Sequence, residues 1–365
     1  MDKKIKRIVI KLGTGILTTG IGIVDTERIN ALCHQIAEVR KRDIEVLIVS
    51  SGAVGMGMGA MNLNHRPNTL IKKQACAAIG QSRLIQCWQE GFNPHDLIVG
   101  QILLTHEGLR IRNRYVNAKA TIDQMLAYGV LPIINENDSI STFEIKFGNN
   151  DVLGAMVSSL TESDHLLILS TAPGLIDMDG SGEIITDVEE ITPAVEALAK
   201  DTSSPTAVGG MVTKIEAAKI ATKSGCETYI ADGNKPNIIL DILNDDYIGT
   251  RFHANQNPMV SKKRWLAYFQ RPQGSITIDE GAVNAIMMKE SSLLAPGIVA
   301  SEGEYLHSDI VDIKGENGEI IARGECKFSS HEVEMIANNK YQKLEELYPD
   351  RKQIEVVHRD FLVLL

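Results

Sequence analysis

No CxxC pair occurs among the five cysteines, Cys33, Cys76, Cys87, Cys226 and Cys326, and the nine histidines are scattered. That absence excludes a zinc site or a disulfide framework as the organising principle of the chain. Long apolar runs are missing as well. Val46–Val49 and Leu166–Leu169 fall far short of the roughly 20 residues of a membrane helix. The opening stretch MDKKIKRIVIKLG is basic and then apolar, as a signal peptide is. Lys6, Arg7 and Lys11 interrupt it and no small-residue cleavage site follows, so it reads as a first strand of a cytoplasmic protein. An excess of positive charge is absent: 37 Lys/Arg stand against 47 Asp/Glu, a net charge of -10. Phosphate backbones select the opposite sign, which argues against general nucleic-acid affinity. Neither a GK[ST] phosphate loop, nor a GxGxxG fingerprint, nor an internal repeat is found.

What is present is a rhythm. The 365 residues suit two domains, and up to about residue 231 short aliphatic runs alternate with turns and helix-period stretches. The runs Ile8–Lys11, Ile44–Ser50, Leu97–Leu104, Val130–Asn135, His165–Ser170 and Glu227–Ala231 predict strands. Ile29, Leu32, Ile36 and Val39 recur at helical spacing behind Asp25 and Thr26, which are available as caps. Further helices are predicted over 70–88, 116–128, 152–160 and 213–224. Gly80 inside the first of these predicts close packing of a neighbouring element, since glycine costs a helix about 1 kcal/mol against alanine. Continuous apolar strands alternating with helices define an α/β fold, a mainly parallel sheet sandwiched by helices. Past residue 255 the pattern changes to short strands and tight turns, among them Glu316-Asn317-Gly318, a hairpin signal. The expected organisation is an α/β domain over 1–256, a linker over 257–272, a small β-rich domain over 273–353, and a tail over 354–365.

In parallel sheets ligands bind at the carboxyl ends of the strands. The first strand ends in Lys11-Leu12-Gly13-Thr14-Gly15, an ammonium followed by glycines whose N–H groups can approach an anion. The second ends in Ser50-Ser51-Gly52-Ala53. The fourth ends in Asn135-Glu136-Asn137-Asp138, and a second polar cluster, Gly148-Asn149-Asn150-Asp151, leads into a helix. Such residues are either solvated turns and helix caps or the wall of a pocket for a charged ligand; two clusters within about 20 residues favour the pocket. Val208-Gly209-Gly210-Met211-Val212-Thr213-Lys214 places Lys214 in the first turn of a helix. A cation is misplaced there unless something anionic compensates it, and phosphate is the obvious candidate.

Taken together and in order, these segments resemble the amino acid kinase family, in particular the branch that phosphorylates free glutamate. Ile79-Gly80-Gln81-Ser82-Arg83-Leu84-Ile85-Gln86 and Val99-Gly100-Gln101 add to the likeness. Ile278-Asp279-Glu280-Gly281-Ala282 and Ser291-Ser292-Leu293-Leu294 are similar to a PUA module. The resemblance implies phosphorylation of the side-chain carboxylate of L-glutamate by ATP, the first step of proline biosynthesis. Lys11 and Lys214 would supply charge, Asp151 would hold both lysines, and Gly13 and Gly52 would offer N–H groups to the phosphoryl oxygens. Ser51, Asn135, Asp138 and Asn150 would hold glutamate, with Asp138 on the ammonium and the amides on a carboxylate. Ser170, Thr171 and Val208 to Lys214 would face the nucleotide, with Mg2+ carried on its phosphates and no metal site of the protein's own. Ala207, Val208 and Thr171 depart from the family pattern. Proline is the implied inhibitor, with Ser139–Phe147 as gate, and a homo-oligomer (dimer or tetramer) and coupling to a glutamyl-phosphate reductase are implied partners. Other carboxylate kinases, acting on N-acetylglutamate or aspartate, share the same logic. A PUA module also raises RNA binding, but from Gly274 onward nine Lys/Arg face 17 Asp/Glu, unlike a phosphate-binding footprint.

Overall fold

The computed structural model describes residues 4–20, 22–141, 149–177, 180–199, 210–256, 261–264, 266–267, 270, 272–289, 291–338 and 355–365. The chain divides into two units, Met1–Pro258 and Met259–Leu365.

In the larger unit β1 (Arg7–Leu12) leads through α1 (Thr14–Leu17) and a small hairpin, β2 (Thr18–Gly20) and β3 (Ile23–Val24), to α2 (Thr26–Arg40). Then come β4 (Glu45–Ser50), α3 (Ala53–Ala60), α4 (Leu70–Phe92), β5 (Val99–Leu104), α5 (His106–Arg110), α6 (Arg112–Ala127) and β6 (Leu131–Glu136). The unit continues with α7 (Asn149–Thr161), β7 (His165–Ser170), β8 (Asp187–Val188), α8 (Pro193–Leu198) and α9 (Met211–Lys223). It ends with β9 (Glu227–Asp232), α10 (Ile238–Leu243) and β10 (Gly249–Phe252). Among the described residues one sheet has the order β5-β6-β4-β1-β7-β9-β10-β8. All pairs from β5 to β9 are parallel, and only β10 turns antiparallel to β9.

The sequence explains this arrangement locally. Ile8, Val9, Ile10 and Leu12 of β1 are fully buried, as a central parallel strand covered on both faces requires. Helix α2 starts where Asp25 accepts a hydrogen bond from the Arg28 N–H at 2.9 Å, the cap expected there. Helix α4 lies backbone-to-backbone on α3. A Cβ on Gly80 would sit 1.8 Å from the Ala53 carbonyl oxygen, so the glycine is the condition for that contact. Buried Trp88 of α4 donates its indole N–H to Ser50 Oγ at 3.0 Å, which fixes α4 against the end of β4. The chain passes from β1 to β4 on one side and later lays β7 on the other. The crevice at the carboxyl ends of β4, β1 and β7 is therefore where the strand order reverses.

Among the described residues of the smaller unit, helices α11 (Ser261–Arg264), α12 (Glu280–Lys289) and α13 (Ser330–Asn338) accompany six strands. These are β11 (Gly274–Ile278), β12 (Leu293–Leu294), β13 (Ile298–Gly303), β14 (Ile310–Gly315), β15 (Ile320–Cys326) and β16 (Glu355–Leu364). They form a curled sheet in the order β12-β16-β15-β14-β11-β13 around Ile276, Ile313, Phe328 and Val357. The Asn317-Gly318 turn joins β14 to β15, with Gly318 at φ +80°. Two sequence readings change here. Residues 354–365, expected as a tail, supply β16, an interior strand paired with both β12 and β15. Part of the expected linker packs on this sheet: Leu266 and Ala267 are buried with Ile310 and Val363. Arg323, ion-paired with Asp312 at 2.7 Å, donates to the carbonyls of Ala267 and Gln270.

Candidate active site

Lys11 leaves β1 toward α7. The stem of its side chain passes Gly154, where a Cβ would lie 3.3 Å from Lys11 Cβ, so the small residue makes room for the lysine. The first turn of α7 carries Asp151, whose side chain is fully buried. One carboxylate oxygen, Oδ1, pairs with Lys11 Nζ. The other, Oδ2, accepts from Thr213 Oγ1 at 2.9 Å and faces Lys214 Nζ at 3.4 Å. Lys11 is 5% exposed and Lys214 8%. Two ammonium groups and one carboxylate therefore share a nearly dry site at the joint amino ends of α7 and α9.

Burial pushes the Asp151 carboxyl up, but Lys11 and Lys214 together outweigh it and hold the group below its ordinary range. Burial pulls Lys214 below the usual lysine value, helped by Lys11 and opposed by Asp151. Lys214 stands at the unfavourable end of the α9 dipole. Asp151 is the anion beside it here, the role the resemblance implied for it.

The neighbouring residue, Asn150, ties this cluster to a second one. Its Nδ2 donates to Ser51 Oγ at 2.9 Å and to Asn135 Oδ1 at 3.1 Å. Asn135 Oδ1 also accepts the backbone N–H of Glu136, and Asn135 Nδ2 donates to Gln81 Oε1 at 2.9 Å. A cleft opens beside these groups, lined by Ala53, Ala77, Gln81, Glu136 and Asp138 among others. Glu136 is buried and clamped by His106, whose Nδ1 lies 2.9 Å from Oε2. Burial, with Glu136 adding repulsion and Arg66 opposing, pushes the Asp138 carboxyl up to about 6.

Of the residues expected from sequence, Lys11, Lys214, Asp151 and Thr213 meet in one cluster, and Ser51, Asn135 and Asn150 in the adjoining one. Gly13 requires a correction. Its N–H donates to the Leu169 carbonyl at 3.0 Å and is not available to a phosphoryl oxygen. A Cβ there would lie 3.6 Å from Lys11 Nζ, so the position keeps space beside the ammonium. Gly52 precedes α3 at φ 117°, a conformation that favours glycine. Among the described residues nothing accepts its N–H. Ser170 ends β7 and its Oγ accepts from Ala172 N–H at 3.2 Å; Thr171 is exposed. Gly210 caps α9 and Met211 is buried, whereas Val212 is 49% exposed. Ala207, Val208, Gly209, Gly148 and most of the expected gate (142–147) lie outside the described residues. Sequence reading missed Gln81 as a polar anchor, and Arg66 and His106 altogether. Glu136, inside the quoted polar cluster, was legible as polar but not as a clamped buried acid.

Known proteins share this chain's sequence and fold. The model of the amino acid kinase family matches residues 6–232, and that of the PUA domain matches residues 274–348. The chain belongs to the amino acid kinase family. Carbamate kinase from Giardia lamblia bound to AMP-PNP shares the fold, with a TM-score of 0.50 at 15% identity over 68% of this chain and 99% of that one. Within the family the chain groups with glutamate 5-kinases. That of Trichlorobacter lovleyi is 42% identical across 100% of this chain and 98% of its own length. Those of Thermoanaerobacter sp. and Sodalis glossinidius are 42% and 39% identical, each across 98% of both chains. The protein is accordingly an enzyme of the kinase type.

Proposed function

We propose that the protein transfers the γ-phosphoryl group of ATP to the side-chain carboxylate of L-glutamate, giving L-glutamyl 5-phosphate. The observation that carries this reading is Asp151, buried and bound to both Lys11 and Lys214, next in sequence to Asn150 of the amide cluster. A glutamate side chain has a pKa of about 4.3 and is an ionised nucleophile at neutral pH. No general base is therefore required, which suits a site built from ammonium groups. Phosphoryl transfer needs alignment and positive charge around the moving group. Lys11 and Lys214, spaced by Asp151, are placed to supply that charge from two sides, and Gly52 N–H adds a donor. Both Asp151 oxygens are already engaged, so Mg2+ enters on the nucleotide phosphates rather than on a carboxylate of this cluster.

Ser51, Asn135, Asp138 and Asn150 hold glutamate in this reading. A free α-ammonium needs an anionic partner, which Asp138 supplies when ionised. Ser170, Thr171 and the segment from Val208 to Lys214 face the nucleotide. The reaction is the entry to proline biosynthesis in the cytoplasm, with proline as a competing inhibitor and a reductase accepting the labile acyl phosphate. A homo-oligomer carries the activity.

The test runs L-glutamate, N-acetyl-L-glutamate and L-aspartate in parallel in a hydroxamate or coupled ADP assay, with and without proline. Glutamate is expected to turn over far faster than the others, with proline raising its apparent KM. Equal or better turnover of N-acetylglutamate would overturn the substrate assignment.

A further inference from the structure

The amide cluster has an internal logic that fixes which atom faces the ligand. The Glu136 backbone N–H can only donate, so the Asn135 side-chain atom that meets it at 2.9 Å is the oxygen. The Asn135 Nδ2 must then point the other way, where Gln81 Oε1 accepts it at 2.9 Å. The Asn150 atom 3.1 Å from Asn135 Oδ1 must in turn be its nitrogen. By elimination the Asn150 carbonyl oxygen faces away from both. It is buried and, among the described residues, has no hydrogen-bond partner. A buried acceptor without a donor costs free energy until a ligand supplies one. Ser51 Oγ already accepts from Asn150, which leaves its O–H free to donate. The pair thus offers one acceptor and one donor, the complement of a zwitterion.

We propose that Gln81 is a positioning residue for substrate recognition: by holding Asn135 it aims the Asn150 carbonyl oxygen at the substrate's α-ammonium. This rests on the glutamate reading above. It also revises the expectation that the amides bind a carboxylate. Asn135 is 2% exposed, so without Gln81 its Nδ2 loses the acceptor it has here and little water can replace it. Swinging Asn135 to find another breaks the contact that orients Asn150. Gln81 itself is half-buried on α4, and its Nε2 reaches the exposed Gln101 of β5 at 3.1 Å. It touches neither the lysine pair nor Asp151.

The experiment compares Gln81→Met, which removes the acceptor at similar size, with Gln81→Glu, which keeps it. KM and kcat are measured for glutamate, and Ki is measured for glutarate, which has both carboxylates but no ammonium. Losing one hydrogen bond to a charged group corresponds to about a tenfold loss of affinity. Gln81→Met is expected to raise the glutamate KM about tenfold, with kcat and the glutarate Ki each within about twofold of wild type. Gln81→Glu, which keeps the acceptor for Asn135, is expected to lose less of the discrimination between glutamate and glutarate than Gln81→Met. An unchanged glutamate KM in Gln81→Met would overturn the proposal. So would a glutarate Ki rising in step with it, or equal losses in both variants. If the wild-type protein does not phosphorylate glutamate, the glutamate reading falls and takes the role of Gln81 with it. An active wild type with unmoved discrimination removes Gln81 alone.

Discussion

Replacing Asp151 by asparagine preserves the shape of the side chain and an oxygen for Thr213 Oγ1, yet removes the negative charge that pairs with two buried ammonium groups. Lys11 and Lys214 are 5% and 8% exposed, so water cannot take over the role of the carboxylate. Removing one partner of a buried ion pair costs about 3–5 kcal/mol, because the remaining charge is left uncompensated. That is a large part of the roughly 5–15 kcal/mol by which a domain is stable. At about 2–4 °C per kcal/mol for a unit of this size, the midpoint of thermal unfolding falls by roughly 6–20 °C. The pH dependence gives a signature that packing damage lacks. Lys214 already sits below the usual lysine value through burial and Lys11, with Asp151 resisting, and the substitution withdraws that resistance. A lysine lowered in the folded state binds fewer protons there than in the unfolded chain. Stability of the variant therefore rises with pH from the lowered folded value up to the ordinary one near 10.5. Thermal unfolding of both proteins at pH 6 and pH 9 is the assay. A drop below about 2 °C at pH 6, or a drop of the same size at both pH values, would refute the reasoning.

Three further outcomes are expected. Because Asp138 is pushed up to about 6 and must be ionised to receive an ammonium, the glutamate KM should rise about tenfold between pH 7 and pH 5 with kcat little changed. A flat profile, or one that survives Asp138→Asn, would contradict this. Lys214→Ala should lower kcat by at least about a hundredfold while moving the glutamate KM far less, since its charge acts chiefly in the transition state. Steady-state kinetics with near-normal kcat would remove Lys214 from the chemistry. Gly80→Ala should destabilise the larger unit at or above the upper end of the about 1–3 kcal/mol seen for overpacking. The added carbon would meet three backbone atoms, 1.8 Å from Ala53 O, 2.4 Å from Gly57 N and 2.9 Å from Ala53 C. A urea midpoint equal to wild type would show that α3 and α4 can part at no cost.

The interior strands of the larger sheet were legible because a strand buried on both faces must be aliphatic throughout, and runs such as Ile44–Ser50 and His165–Ser170 are. The hairpin β2–β3, the short β8 and the antiparallel β10 were not legible, since two to four residues leave too little periodicity to read. The same division holds for the site. Lys11, Asp151 and Lys214 stand at element ends where their charge needs an explanation, so sequence could single them out. Gln81, Arg66 and His106 sit in ordinary helical or turn contexts and acquire meaning only through residues more than 20 positions away. That Gly13 spends its N–H on Leu169 likewise follows from the pairing of β1 with β7, which no local pattern announces. Asp25 as a cap and Gly80 as a contact point were readable, because each breaks or serves a local rule of helix formation.

The place of β16 in the smaller sheet bears on the order in which the protein matures. Every strand of the larger sheet has left the ribosome once Phe252 is free, so that sheet can assemble during synthesis, as amino-terminal units do. The smaller sheet cannot. Its penultimate position waits for Glu355–Leu364, and until those ten residues emerge β12 has no neighbour and β15 exposes an edge. For that interval the nascent chain carries every described strand of the larger sheet and an open edge along β15. A ribosomal stall before residue 355 would therefore present quality-control factors with a recognisable flaw in one unit and none in the other.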